Sequence, residues 1–485
     1  MTQLARRAAV LPILLALACT SSLPRRVQQT PDHRWTATEL TTPPIDDTHV
    51  DDLSREELDR LKNVSLEHYA NFDVGIIEFR DSGQLWSIQQ ADLVLDHIER
   101  TARERGATIV VFVHGWHHSA SVDDGNLQSF RQVLRTIATR PLGAVCTGET
   151  PPNSNRLIGV YIGWRGESTD TFAKWFTIWS RKRAAQHIGG VVSTTQRILI
   201  AAGVSAPSQF PDLLTEIDKI HSSANDLPRT NGRSFTSLVF VGHSLGAAML
   251  LSAMQQLTFE NRIAGLSDNP ARRTFQGLGD LVVLLNPAIE TRRYDEFRRI
   301  VTSGRGFAKT QSPVLLTISS EGDIANQRWF RISRILSSAF YPPRWFEFYD
   351  SVTALGFAQN AKTHELTVAD EKAMFAKLAQ LQLPSVDTTS EPGTPPASLA
   401  AEKRFGPLLL QPDPGIDPNT PFMVVHTSKA VIRDHNDIFT PQLVSFLVPF
   451  VSAVEEKNVV CHCGTPAVSP KPASKVSVPV IGSGD

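Results

Sequence analysis

The sequence has few cysteines, no block of like charges and no second long apolar run. Four of its 485 residues are cysteine, 20% are charged, and the formal net charge is −1. A near-neutral chain without charge blocks argues against an extended nucleic-acid surface. Beyond the amino-terminal segment, no apolar run reaches the roughly 18 residues that a membrane span needs. The length instead suits about three domains, or one large domain with insertions.

Residues 1–19 have the pattern of an export signal. A positively charged start is followed by an apolar run over 8–18, which is too short to cross about 30 Å of hydrocarbon. The tripeptide Ala-Leu-Ala at 16–18 fits an ordinary signal-peptidase site. Followed by Cys19, it also resembles a bacterial lipobox. The lipobox predicts a chain that a lipid on Cys19 anchors to an envelope membrane, facing the periplasm. The signal-peptidase site predicts a periplasmic or secreted chain.

The other three cysteines leave their pairing open. Cys146 could pair with Cys461 or Cys463, and either disulfide would leave one thiol over. The Cys-His-Cys triplet at 461–463 also suggests a metal site, but no fourth ligand can be assigned. We therefore expect no metal there.

Changes in composition divide the rest of the chain. Residues 20–70 are polar and predict a tether, whereas 71–327 and 419–458 carry the apolar patterns of a folded domain. An insertion over 328–418 is aromatic at first and then rich in Pro, Ser and Thr. Residues 459–485 predict a disordered tail.

Short apolar runs predict the strands of the folded domain. They lie at 108–113, 157–162, 238–241, 281–285, 314–318 and 422–425. Runs of this length without alternation suit strands that are buried on both faces. A hairpin is predicted over 74–79 and 84–88, and helical spacings occur at 91–105 and 247–257. Together these patterns predict an α/β domain with a mostly parallel central sheet and helices on both faces.

Residues 242–246 read Gly-His-Ser-Leu-Gly and match the G-x-S-x-G pattern. In that pattern a strand turns sharply into a helix with the serine at the apex, and the glycines leave room for the neighbouring strand and helix. Here the motif follows the run at 238–241 and opens the helical segment 247–257. This context favours Ser244 as a nucleophile over a structural turn.

With this motif in this context, the chain resembles the α/β-hydrolase superfamily, in its serine esterase and lipase branch, over about 72–327 and 420–458. The resemblance implies an α/β-hydrolase fold with lid-like insertions. It also implies cleavage of small-molecule or lipid carboxylic esters through an acyl-enzyme intermediate on Ser244, without a cofactor or metal. The same residues could serve an amidase, a thioesterase or a phospholipase. A non-catalytic envelope protein on a hydrolase scaffold is the alternative from another class.

The family's order places an acid and then a histidine after the serine, each behind a strand. Asp323 follows the run at 314–318 and looks like the family's acid; His435 follows 422–425 and looks like its base. The imidazole would accept the serine proton, and the carboxylate would fix the imidazole tautomer. The other candidates are Glu290 and Glu321 for the acid, and His364 and His426 for the base.

His114-Gly115-Trp116 follows the run at 108–113 and resembles the family's HG-x turn. That resemblance implies that the backbone N–H groups of Trp116 and Leu245 bind the developing oxyanion. His114 is followed by His117 and His118, but no acidic partner stands at ligand spacing, so we expect no metal. The candidate substrate contacts are His114, His243, Trp164 and Arg165.

Two stretches between predicted strands are longer than a single crossover helix with its loops needs. One covers 164–232, and the other begins with 329–349, where eight of 21 residues are aromatic. The aromatic stretch could be a small satellite core, or a lid or acyl-chain groove. The second interpretation predicts a preference for a hydrophobic acyl or aromatic group in the substrate.

Overall fold

The computed structural model describes residues 24–26, 36–46, 53–140, 142, 155–164, 182, 184–190, 209–227, 234–262, 269, 273–338, 347–369 and 398–463. At 258–262, 333, 336–338 and 460–463 only the backbone is described. The predictions that lie outside these ranges are the export signal with Cys19, any disulfide of Cys146, the contact by Arg165 and the tail beyond 463; 339–346 of the aromatic stretch and 370–397 of the insertion also lie outside them.

Eleven strands in the described ranges form one sheet. They are β1 (Leu66–His68), β2 (Phe72–Glu78), β3 (Ala107–Val113), β4 (Arg156–Gly163), β5 (Ser237–His243), β6 (Leu281–Leu285), β7 (Leu315–Ser320), β8 (His364–Val368), β9 (Lys403–Phe405), β10 (Leu408–Pro412) and β11 (Phe422–Thr427). All six apolar runs of the sequence lie in these strands.

The sheet is mixed but mostly parallel. Its order is β1-β2-β4-β3-β5-β6-β7-β11-β8-β10-β9. All pairings from β2 to β8 in this order are parallel, whereas β1, β10 and β9 join by antiparallel pairing at the two sides. The predicted α/β class with a mostly parallel sheet is therefore confirmed.

Helices lie on both faces of the sheet. They are α1 (Arg55–Leu61), α2 (Ile88–Glu104), α3 (Gly125–Ala138), α4 (Phe210–Asn225), α5 (Leu245–Arg262), α6 (Asp295–Val301), α7 (Arg331–Ser338), α8 (Phe348–Val352) and α9 (Pro441–Cys463). A π-helical turn, Ala325–Phe330, precedes α7.

Alternate side chains of the strands supply two apolar cores. Ile109 and Val111 of β3 belong to the core that also contains side chains of α2, α4 and α5, whereas Phe112 of the same strand belongs to the core that contains side chains of α3 and α9. Successive strand residues point to opposite faces, so a continuous apolar run fills both cores. This arrangement explains why the six runs lack alternation.

The segment predicted as a tether contributes to the folded domain. β1 pairs with β2, and Thr41 forms a parallel bridge with Leu66. The side chain of Arg26 is fully buried against Glu67. The polar composition of 20–70 reflects a sheet edge and a buried ion pair in the described parts of this segment.

Three further predictions of organisation differ from the structure. Strands β8, β9 and β10 lie within the predicted insertion 328–418 and extend the sheet. Residues 459–463 continue α9 instead of beginning the tail. Of the predicted hairpin over 74–79 and 84–88, the second run forms two isolated antiparallel bridges instead of a strand, one between Phe79 and Leu85 and one between Gln84 and Gln209.

No helix in the part of the chain described here is both long and apolar enough to cross a membrane.

Candidate active site

The carboxyl ends of five neighbouring parallel strands meet at one edge of the sheet. Ser244 follows β5, Asn286 follows β6, Asp323 follows β7, and His435 lies in the loop after β11. The turn that begins at His114 follows β3. In open α/β sheets this edge is the usual location of a ligand site, because the connecting loops converge there.

Ser244 stands in a strained turn between β5 and α5. Its φ of 54° is in the left-handed region, which non-glycine residues rarely adopt. Its N–H donates to the carbonyl of Leu285 (3.0 Å), and its carbonyl accepts from the N–H of Ala288 (3.2 Å). These bonds to the end of β6 and the loop after it hold the turn, and α5 begins at the next residue.

Glycines allow the backbone segments around Ser244 to approach one another. A Cβ on Gly246 would overlap the carbonyl oxygens of Val113 and His114. A Cβ on Gly115 would lie 2.7 Å from His243 Nδ1 and 3.0 Å from Ser244 Cβ. Only glycine therefore fits where the turn after β3 meets the serine.

A continuous hydrogen-bond chain joins Ser244, His435 and Asp323. His435 Nε2 lies 2.8 Å from Ser244 Oγ, and His435 Nδ1 lies 2.8 Å from Asp323 Oδ1. Since the carboxylate accepts from Nδ1–H, Nε2 is left to accept the serine proton. Asp323 is 0% exposed, whereas the His435 side chain keeps 18% of its surface accessible.

Asp323 is held from a second side by Asn326. The Asn326 backbone N–H donates to Oδ1 (2.9 Å), and its Nδ2 donates to Oδ2 (2.8 Å). Asn326 is buried and belongs to the π-helical turn that follows the acid. The carboxylate thus has donors on both oxygens, which fixes its orientation toward His435.

The alternative acids make other contacts. Glu290 pairs with Lys182 (2.7 Å) and Arg334 (3.2 Å). Burial alone would raise the pKa of Glu290, but these two cations lower it to about 2. Glu321 is exposed, and its Oε1 accepts from the Lys429 N–H.

The alternative bases lie within strands. His364 is buried in β8, where its ring nitrogens contact Thr363 Oγ1 and the Ala400 carbonyl, each at 2.8 Å. His426 lies in β11, and its ring is 6.1 Å from that of Phe357. Of the histidines considered from the sequence, His435 is the one whose ring contacts Ser244.

The residues predicted to bind an oxyanion lie on the two segments next to Ser244. Leu245 is the first residue of α5, and helix-initial N–H groups lack acceptors within their own helix. Trp116 belongs to the turn that Gly115 brings against the serine, and it is partly exposed. The next residue, His117, has a φ of 72°.

Three of the suggested substrate contacts are packing residues. His114 is buried between Tyr161 and Trp164, with ring centroids 5.5 and 5.6 Å away. Its Nε2 accepts from the Trp164 N–H, and its carbonyl accepts from the Trp164 indole. Burial lowers the pKa of His114 to about 4, so it is neutral near pH 7. His243 is also fully buried, and both histidines shape the backbone of the site.

Two asparagines at the site, Asn286 and Asn326, were not predicted from the sequence. Each follows a strand or its turn, but an asparagine in a loop is common and carries no signal by itself. The left-handed φ of Asn286, 41°, is the structural signal. A group of three potential metal ligands was also not predicted from the sequence. It consists of His68, Asp73 and His97, which lie far from the two asparagines in the chain. Arg156 contacts both carboxylate oxygens of Asp73 there.

Comparison with known proteins adds no relative: no family model, no curated protein and no solved structure matches the chain. A functional assignment therefore depends on the geometry of the site and on general chemistry.

Proposed function

We propose that the protein is a serine hydrolase that cleaves carboxylic esters through an acyl-enzyme intermediate on Ser244. The observation that supports this proposal best is the chain from Ser244 Oγ through His435 to Asp323, with both contacts at 2.8 Å. The strained turn at Ser244 and the order of the three residues also suit the α/β-hydrolase superfamily. We propose membership of that superfamily, in its esterase and lipase-like branch.

The proposed reaction begins with attack of Ser244 Oγ on the ester carbonyl carbon. His435 Nε2 takes the hydroxyl proton as the carbon–oxygen bond forms, and Asp323 stabilises the imidazolium. Collapse of the tetrahedral intermediate breaks the ester bond, and the leaving alkoxide takes the proton from His435. Water then attacks the acyl-enzyme with the same base, which releases the carboxylic acid and restores Ser244.

The negative charge of the tetrahedral oxygen needs donors that are already in place. We propose the backbone N–H groups of Trp116 and Leu245 for this role, because both segments adjoin the serine. Donors in such positions contribute about 3–4 kcal/mol each to the transition state. Since they are backbone groups, their positions depend on Gly115 and on the start of α5.

An apolar acyl or aromatic group is the proposed substrate preference. The π-helical turn with its N-cap residue and helix α7, which follow Asp323 in the chain, carry several large apolar side chains that are exposed. These are Ile324, Trp329, Ile332 and Ile335, each more than 40% exposed. We further propose that the chain is exported and carries a lipid on Cys19, which would hold the enzyme at a bacterial envelope membrane.

The test uses residues 20–485 with p-nitrophenyl esters from acetate to palmitate, and Ser244→Ala as the matched variant. We expect turnover that rises with acyl length and is lost in the variant. Equal rates in both proteins would overturn the assignment of the nucleophile. If amides, thioesters or phospholipids are cleaved in preference to these esters, the bond assignment is wrong while the nucleophile stands.

A further inference from the structure

Asn286 occupies a strained position between the acid and the base. It is fully buried directly after β6, and its φ of 41° lies in the left-handed region. In the described ranges, the only other non-glycine residues with positive φ are His117 and Ser244. Backbone strain of this kind persists where surrounding contacts enforce it, and it concentrates at functional sites.

The contacts of Asn286 join three segments of the site. Its Nδ2 donates to the carbonyls of Asp434 (3.2 Å) and His435 (3.1 Å). Its Oδ1 accepts from the N–H of Ser320, at the end of β7. Its own carbonyl accepts from Nδ2 of Asn326, which also binds Asp323. One side chain thus links the loop of the base to the strand that carries the acid.

His243 contacts the same carbonyl from another direction. Its Nε2 lies 2.8 Å from the His435 carbonyl oxygen, so Nε2 carries the proton and donates. Burial, with the adjacent His435 as the second cause, lowers the pKa of His243 well below its usual value. The ring is therefore neutral near pH 7 and is fixed in one tautomer. Its Nδ1 is buried without a hydrogen-bond partner among the described residues.

The loop that carries His435 has an exposed side. Arg433 has 79% of its side chain exposed, and Asp434 and Asn436 are also exposed. Inside the loop, Asp434 accepts from the N–H groups of Asn436 and Asp437. These local bonds shape the turn but do not fix its distance from Ser244. Donors from the body of the domain do that, among them Ser320 Oγ, which donates to the Ile432 carbonyl (2.6 Å) earlier in the loop.

We propose that His243 and Asn286 are positioning residues that hold the base, His435, by its backbone carbonyl. Neither touches the reacting atoms. Both act through the position of the imidazole, since two donors on one carbonyl fix the backbone from which the ring extends. The expected effect of replacing these residues on turnover rests on the proposed function. Their expected effect on the His435–Asp323 hydrogen bond does not.

Two matched replacements of His243 test the proposal. Gln places an amide N–H near the position of Nε2, whereas Asn places one near Nδ1. We expect His243→Gln to keep kcat within about threefold. His243→Asn should lower kcat by about 10- to 100-fold with KM nearly unchanged. Asn286→Asp keeps the shape of the side chain and tolerates the left-handed backbone conformation. It replaces the Nδ2 donor by an oxygen that faces the two carbonyls, so we expect a similar loss of kcat. Arg433→Ala, on the same loop, is the control with unchanged rates.

A spectroscopic measurement gives a result even without turnover. The proton shared by His435 Nδ1 and Asp323 should give a low-field NMR signal, assigned by its loss in His435→Gln. We expect the signal in the wild type, His243→Gln and Arg433→Ala, and its loss or broadening in His243→Asn and Asn286→Asp. An unchanged signal and kcat in both of the last two variants would overturn the proposal. An intact wild-type signal without turnover of any ester would contradict the proposed function alone.

Discussion

Ser244, His117 and Asn286 adopt left-handed backbone conformations, which are uncommon for residues other than glycine. Such positions cost about 1–3 kcal/mol each and need compensation from their surroundings. At Ser244 the compensation is visible, since its N–H and carbonyl both bond to the end of β6 and the loop after it. The turn thereby places the hydroxyl at the carboxyl edge of the sheet, within hydrogen-bond distance of His435.

Replacing Gly115 by alanine should disable the site without unfolding the domain. The new Cβ would lie 2.7 Å from His243 Nδ1 and 3.0 Å from Ser244 Cβ, so the turn carrying Trp116 must move. We expect kcat to fall by about 100-fold or more, measured with a p-nitrophenyl ester. Gly125→Ala is the matched control, because a Cβ there has no atom within 4 Å. Equal rates for the two variants would contradict the assignment of this turn.

Asp323→Asn should lower kcat by about 10⁴-fold, because an amide in place of the carboxylate favours the wrong tautomer of His435. KM should change little, since the side chain is buried and does not reach the substrate. Steady-state kinetics measures both parameters. Glu321→Gln, two residues away and exposed, serves as the control; a comparable loss in that variant would argue against Asp323 as the acid.

The G-x-S-x-G motif behind an apolar run pointed to Ser244, and the residue order that the family resemblance implies pointed to Asp323 and His435 behind later runs. The roles of Asn286 and Asn326 depend on contacts across the chain, for example between Asn286 and His435 at a separation of 149 residues. No local pattern records such a contact.

At the scale of elements, a strand could be predicted from the sequence when both of its faces are buried. The central strands β3, β5, β6, β7 and β11 have continuous apolar runs, because helices cover both of their faces. Strand β8 alternates buried and more exposed residues, and β9 has three residues. Short strands with a partly exposed face lack the continuous run that predicts a buried strand, so they were assigned to an insertion.

Helix α9 carries an acid that should make stability depend on pH. Burial, together with the charge of Asp280, raises the pKa of Glu455 to about 8, with Glu456 and His221 as the other charged neighbours. The folded chain then holds a proton that the unfolded chain releases near its ordinary pKa of 4.5. Stability from this group is present below about pH 4.5 and is lost as the pH rises toward about 8.

Glu455→Gln should remove this dependence. We expect the free energy of unfolding of the variant, relative to wild type, to be higher at about pH 8 than at about pH 5, by about 2–4 kcal/mol. Urea unfolding at both pH values measures the difference. Glu104→Gln, at the exposed end of α2, is the control. A relative stability of Glu455→Gln that is the same at both pH values would contradict the raised pKa.

At the scale of the whole molecule, an amino-terminal segment is built into the domain. The guanidinium of Arg26 donates to the carbonyls of Ala120 and Leu61 and to Glu67. Glu67 also pairs with Arg131 through two hydrogen bonds. Arg26 reaches the domain only seven residues after Cys19, so a lipid there would hold the domain close to a membrane.

Arg26→Met should destabilise the domain, because it removes one cation from a buried network and takes a donor from the carbonyls of Ala120 and Leu61. We expect a loss of about 3 kcal/mol in the free energy of unfolding, measured with urea. Arg25→Ala is the control: the Arg25 side chain is exposed, and its contact to Glu78 uses the backbone N–H. Equal stability of the two variants would restore the interpretation of this segment as a tether.

The central claim is that Ser244 is an activated nucleophile. Its most direct test is peptide mapping by mass spectrometry after incubation of folded residues 20–485 with a fluorophosphonate probe. The geometry of Ser244, His435 and Asp323 predicts one covalent adduct, on Ser244, and no adduct in Ser244→Ala. A folded wild-type protein that stays unmodified, or that is modified equally in the variant, would contradict the claim.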